Sequence, residues 1–261
     1  MITRKTAQNI AVMRRAGRVV AEMHEAATRA AVPGASTLDL DIACREVLER
    51  RNAKSNFLGY HGFPAVACVS PNEVVVHGIP DVRILEDGDI VSIDCGAIVE
   101  GWHADAAITI PVGAIDLESQ RLISVGRAAL EAAIAHVRSG HTLGDIGSAV
   151  SGVAEAAGFS VVREYTGHGI GTQMHEDPAI PNYGRAGKGL KLRAGHVVAI
   201  EPMINAGRAA VRELSDGWTV VTSDGSRSVH FEHTIAVGDD GPEILTLPQG
   251  ARHLTHCHKG R

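Results

Sequence analysis

Five residues of this chain carry acid and imidazole groups in short motifs that recur in the same order in both halves of the sequence. Asp94 reads as the end of an apolar strand, Ile90-Val91-Ser92-Ile93, Asp105 sits on the next with Ala106-Ala107-Ile108-Thr109-Ile110, and Glu201 follows Val197-Val198-Ala199-Ile200. The stretch from Leu85 to Asp94 aligns position by position with that from Leu192 to Glu201. His77-Gly78-Ile79 aligns with His168-Gly169-Ile170, and His103-Ala104-Asp105 with His230-Phe231-Glu232. Taken singly, each acid reads as a turn or cap residue; what sets them apart is that they recur together, in order, on apolar strands. Carboxylates crowded on such strands repel one another and lose hydration, so a cation must compensate. No Lys or Arg lies on the strands bearing Asp94 and Asp105, which leaves a shared proton or a metal. Asp94, Asp105, His168, Glu201 and Glu232 form an oxygen-rich set with room for two divalent ions. Its carboxylates favour Mg, Mn or Fe, and the histidine admits Co, Ni or Zn. Two ions held this way generate hydroxide near neutral pH and polarise a carbonyl.

The elements that must position these groups follow the order helix, helix, strands, played twice. Residues 6–31 carry a helical pattern that Pro33-Gly34 stops, and Ser36 or Thr37 then caps a second helix. From 63 to 111 short Val and Ile runs bounded by Gly, Pro and Asp read as strands. Helices return at about 117–138 and 142–158, and strands again from about 161 to 247. The second helices even begin alike, Gly34-Ala35-Ser36-Thr37-Leu38 against Gly140-His141-Thr142-Leu143. The expectation is one domain over 1–250, built of pseudo-symmetric halves at about 6–112 and 117–247, with 251–261 a flexible tail. Val99-Glu100-Gly101 reads as a hairpin turn. Centred between 99 and 100, it sets Asp94 directly opposite Asp105, with Cβ atoms roughly 4.5–5.5 Å apart; centred one residue later, it makes them diagonal neighbours. His103 and His230 alternate with the acids and read as structural or supporting groups. His24, His136, His141 and His196 read as solvated or core histidines. His253, His256 and His258 lie in the tail without a scaffold.

Composition narrows the class. The 261 residues are 44% hydrophobic and carry a net charge of −5, so the basic footprint of a nucleic-acid binder is absent. With only 4 Phe, 3 Tyr and 2 Trp, the core must be built from Ala, Val, Ile and Leu. No apolar run approaches a membrane span, nothing behind the basic start resembles a secretory leader, and the four cysteines show no CxxC spacing. A cytoplasmic protein with reduced thiols is expected.

Beyond these patterns, several stretches resemble the type I methionine aminopeptidases: Leu58-Gly59-Tyr60-His61-Gly62-Phe63-Pro64, Asn72 to Pro80, Ser92-Ile93-Asp94, Gly101-Trp102-His103-Ala104-Asp105, Gly167-His168-Gly169-Ile170-Gly171, Ile200-Glu201-Pro202-Met203 and Phe231-Glu232-His233-Thr234. The likeness runs from about residue 6 to 247. It implies the α/β "pita-bread" fold, a curved antiparallel sheet whose two pseudo-symmetric halves are covered by helix pairs. It also implies that Asp105 and Glu232 bridge two divalent ions (Co, Mn, Fe, Zn or Ni), that Asp94 completes one ion, and that His168 with Glu201 completes the other. A water activated between the ions attacks the carbonyl of an N-terminal Met, with Glu201 as proton shuttle. His77 and His175 match the family's substrate-facing histidines. Tyr60, Phe63, Cys68 and Trp218, with Phe57 and Met174, match its apolar pocket; Phe63, Phe57 and Met174 depart from the residues common there and are expected to reshape the wall. The short segment before the first helix, and spacings that leave no room for the type II helical insert, place the resemblance with the bacterial-style enzymes.

Such enzymes act on nascent polypeptides whose second residue is small, as cytoplasmic monomers. Ribosome docking suits that substrate, although no motif here carries it, and neither membrane nor specific nucleic-acid binding is expected. Two rival readings stand beside this one: an X-Pro peptidase of the same fold, which normally carries an extra N-terminal domain, and a non-catalytic binding module, which tends to lose ligands.

Overall fold

The computed structural model describes residues 2–250; the tail 251–261 and its histidines lie outside the described residues. Four α-helices punctuate the described residues, and each begins where a short polar side chain can take a free backbone N–H. Thr6 accepts from Asn9 at the start of α1 (Ala7–Ala30), Ser36 from Asp39 at α2 (Thr37–Arg51), Asp116 from Ser119 at α3 (Leu117–Ile134) and Thr142 from Asp145 at α4 (Leu143–Ala156). Ser36, not Thr37, is therefore the cap. The third helix stops at Ile134, short of the expected 138. Its chain tightens into three-residue bonds from His136 to Ala133 and Val137 to Ile134, which buries Val137 completely. None of these helices is long and apolar enough to cross a membrane.

The paired strands run antiparallel throughout, as the resemblance implies, but their ladders break into four hydrogen-bonded sheets. The longest ladder joins Ile90–Val99 to Trp102–Pro111. Its turn is centred on Glu100 and Gly101, both at positive φ (49° and 79°), the geometry that suits the twist of a two-residue hairpin. Asp94 accordingly faces Ala107 and Asp105 faces Gly96, so the two acids are diagonal neighbours.

The repeat seen in the sequence is also a repeat of contacts. In the first half Gly34, Thr37 and Leu38 donate their N–H groups to the carbonyls of Leu85, Arg83 and Asp81; in the second Gly140, Leu143 and Gly144 donate to Leu192, Leu190 and Lys188. Each half has its own core. Val20, Met23, Leu40 and Val47 pack on Val91, Ile93 and Ala104 under α1 and α2, while Leu122, Leu130, Ile146 and Val150 pack on Val198, Ile200 and Ile235 under α3 and α4.

A seam of polar bonds locks the halves together. Glu232 and Ala107 exchange backbone hydrogen bonds (2.8 and 3.4 Å). The Thr234 hydroxyl accepts from the Asp105 N–H (2.9 Å) and donates to the Asp105 carbonyl (2.7 Å). This brings Asp105 of one half beside Glu232 of the other.

Candidate metal centre and active site

Each acid is delivered by a different stretch of backbone. Asp94 and Asp105 sit within the long hairpin, Asp94 mid-strand and not at a strand end. Glu201 and Glu232, expected on strands, occupy breaks: Glu201 follows Val197–Ile200 and is succeeded by Pro202, which has no N–H to continue a ladder, and Glu232 separates Ser228–His230 from His233–Val237. His168 is the centre of the strand Gly167–Gly169. Its flanking glycines are required by space, since a Cβ at Gly167 would lie 2.4 Å from the Ala199 carbonyl oxygen and one at Gly169 2.2 Å from that of Asp177.

Ligand atoms of Asp105, His168 and Glu232 all fall within 4.8 Å of one another, each residue buried. His168 Nε2 stands 3.6 Å from Glu201 Oε1, and Asp94 and Asp105 are diagonal neighbours across the hairpin. Burial, the largest cause, pushes Asp94 up to about 7; it also drives Asp105, Glu201 and Glu232 well above the ordinary carboxylate range, with mutual repulsion adding to it. Three carboxylate oxygens, Asp94 Oδ1, Asp105 Oδ1 and Glu232 Oε1, are buried without a hydrogen-bond partner. The His168 Nδ1–H donates to the Gly169 carbonyl (2.9 Å), which fixes the tautomer and leaves a lone pair on Nε2. Orphaned acceptor oxygens, clustered acids and an oriented imidazole are the donor set that divalent cations require.

That donor set makes ion uptake dependent on pH. Below about 4, the carboxylates are protonated in both folded and unfolded chains, and the raised pKa values have no effect. Between about 4 and about 7 the ion-free folded chain keeps protons that the unfolded chain has lost, so this cluster's contribution to stability falls as pH rises. Divalent ions replace those protons. The rise in Tm on adding Mn²⁺ is therefore expected to be small near pH 5 and to grow through pH 8. The buried neutral His24 and His233, pushed down to about 3 and 4, act in the opposite sense. They cancel when Tm is compared with and without Mn²⁺ at one pH. A Tm increment that does not vary with pH would detach the ions from this cluster.

Beside the acids lies an apolar chamber. Phe57, Phe63, Cys68 and Met174 are buried together, with Tyr60 and Trp218 packed against them. Phe63 meets Phe57 and Trp218 edge to face, at centroid separations of 6.4 and 5.1 Å. Burial raises the Cys68 thiol well above its usual range, so it acts as a small apolar wall. His77, at positive φ (59°), lies edge-on to Trp218 and Tyr165, and burial lowers its pKa to about 4. His175 Nδ1 is 2.7 Å from the Tyr60 hydroxyl, and its ring contacts that of His168 at 4.3 Å.

Every residue predicted for the site lines one cavity of about 250 Å³: the four acids, His168, His77, His175, Tyr60, Phe57, Phe63, Cys68, Met174 and Trp218. His61, Tyr165 and Thr166 line it as well. The sequence does not mark these three as wall residues, although Tyr165 and Thr166 immediately precede Gly167-His168-Gly169. His103 and His230 fall outside this lining.

Comparison with known proteins agrees with this geometry. Residues 11–239 match the profile of metallopeptidase family M24. A methionine aminopeptidase of Clostridium acetobutylicum is 47% identical over 248 residues, covering 95% of this chain and 99% of the relative. That of Bacillus subtilis is 47% identical over 246 residues, covering 94% and 99%. The crystal structure of the Thermotoga maritima methionine aminopeptidase superposes with a TM-score of 0.93 at 44% identity, covering 94% of this chain and 99% of that one. Sequence, fold and site together show that the chain belongs to metallopeptidase family M24, among its methionine aminopeptidases.

Proposed function

We propose that this chain removes the N-terminal Met from polypeptides whose second residue is small. The observation that carries the reading is one cavity with two unlike walls, apolar over Phe57, Phe63, Cys68, Met174 and Trp218 and acidic over Asp94, Asp105, Glu201 and Glu232. The apolar wall receives the flexible Met side chain, and the acidic wall stands where the scissile bond then falls. Asp105 and Glu232 would bridge two divalent ions, Asp94 completing one and His168 with Glu201 the other. When bound, such ions acidify a water to near neutrality and polarise the substrate carbonyl. Glu201 takes the proton released by the nucleophile and returns it to the leaving amine, which needs only a relay group within reach. His175 donates from Nε2 to the carbonyl oxygen as negative charge develops there, its Nδ1 held by Tyr60. His77 faces the scissile amide.

Because Asp105 and Glu232 come from different halves and meet only at the seam, the two halves act as one catalytic domain over 1–250. The proposed setting is a cytoplasmic monomer acting on nascent chains. The test is release of free Met from Met-Ala-Ser against Met-Leu-Ser, after chelation and with Mn²⁺, Co²⁺ or Fe²⁺ restored. Ion-dependent cleavage of the first alone is expected. Cleavage of X-Pro peptides in its place would move the assignment to an X-Pro peptidase, and no cleavage with any ion would remove the catalytic reading.

A further inference from the structure

His230 is 2% exposed and closes the short strand Ser228–His230, paired with Met203. Its backbone is held from both strands that carry the aspartates. The N–H donates to Ser92 Oγ (3.2 Å) and Thr109 Oγ1 (3.0 Å), and the carbonyl accepts from Thr109 Oγ1 (2.9 Å). The ring is thereby carried to a fixed place, yet its Nε2 is buried with no hydrogen-bond partner. That nitrogen lies 3.7 Å from Glu201 Oε2 and 4.0 Å from Glu232 Oε2.

Glu201 thus stands between two imidazoles, with His168 Nε2 3.6 Å from its other oxygen, Oε1. The two rings differ in kind. His168 belongs to the ligand-spaced group with Asp105 and Glu232, and His230 does not. Asn182 donates to the Glu201 carbonyl (2.9 Å) and so steadies the backbone, but leaves the carboxylate at the end of a side chain with several rotatable bonds. A carboxylate that binds an ion through one oxygen is oriented by what holds the other.

We propose that His230 is a positioning residue: its Nε2–H donates to Glu201 Oε2, turning Oε1 toward His168 and the ion that these two residues would share. The inference rests on the metal-centre reading above. A small rotation of the Glu201 carboxylate brings 3.7 Å within hydrogen-bond range, and the Nε2 then has the partner it lacks. Glu201 is the nearer of the two acids, at 3.7 Å against 4.0 Å for Glu232.

The experiment is titration of Mn²⁺ into chelator-stripped protein by calorimetry, for the unsubstituted chain, His230→Phe and His230→Gln, with melting curves and kcat and KM for Met-Ala-Ser at saturating Mn²⁺. Phe keeps the ring volume and removes the donor; Gln restores an N–H. The expected result is a 10–100-fold loss of affinity for one of two Mn²⁺ ions in His230→Phe, as for other groups that orient ligands. His230→Gln should recover most of the lost affinity, and KM should stay unchanged in both because the ring lies outside the cavity lining. If His230→Phe does not fold, His230→Leu takes its place in the same comparison. Unchanged affinity in the donor-less variant, or an equal loss in His230→Gln, overturns the proposal while leaving the metal centre intact. An unsubstituted chain that takes up no Mn²⁺ overturns both.

Discussion

Replacing Asp105 with Asn is expected to abolish Mn²⁺ uptake and Met release together, and to raise the Tm of the ion-free protein at pH 8. The two effects have one cause. Asp105 is 4% exposed, is the diagonal neighbour of Asp94 and is repelled by Asp94 and Glu201. In the absence of an ion, its carboxyl must keep a proton that the unfolded chain would release, and folding is weakened by that difference. Asn preserves the shape and the backbone bonds to Thr234 but removes an acid from the crowd. The same change removes the oxygen charge on which a bridged pair of ions depends. Such ions contribute several kcal/mol to the transition state, and each ~1.4 kcal/mol is tenfold in rate, so kcat/KM is expected to fall by about 10³-fold or more. Stripped-protein melting curves, bound Mn²⁺ and Met release measure the three consequences independently. A fully active variant would sink the bridging role; a lower ion-free Tm would show that Asp105 serves mainly to hold the seam.

How much of this was legible beforehand follows from the range of each interaction. Helix starts were visible because a cap needs residues within three positions: Ser36 with Asp39 and Thr142 with Asp145 satisfy it locally. The hairpin register was readable only to within one residue. Glu100 adopts a positive φ that few non-glycine residues take, so nothing in Val99-Glu100-Gly101 distinguishes the two centres in advance. The acid cluster stood out because buried, repeated carboxylates are costly and need a reason. The breaks that carry Glu201 and Glu232 look like strand in the sequence alone: the Glu232 pairing with Ala107 and the Thr234 bonds to Asp105 span more than a hundred residues of sequence and leave no local trace. His61, Tyr165 and Thr166 reach the cavity through the same long-range packing, and their types alone do not separate them from loop residues.

His175→Ala is expected to leave bound Mn²⁺ and its affinity unchanged while lowering kcat by about 10²–10³-fold, the loss seen when one donor to a developing oxyanion is removed. The contrast with Asp105 comes from position. His175 lies outside the ligand-spaced group of Asp105, His168 and Glu232, touching His168 only ring to ring at 4.3 Å, and its Nδ1 is taken by the Tyr60 hydroxyl at 2.7 Å. Its remaining nitrogen therefore has no structural partner to lose, and its effect appears only when charge builds on a substrate oxygen. An interaction made in the transition state and not before lowers kcat and kcat/KM together and spares KM. Tyr60→Phe then gives an internal control: it keeps the ring that walls the chamber but frees His175 Nδ1, and is expected to reproduce part of the kcat loss without changing KM. If His175→Ala instead raised KM at constant kcat, the histidine would be a binding group for the ground state. If it lost Mn²⁺, the ring contact with His168 would be what holds that ligand in place.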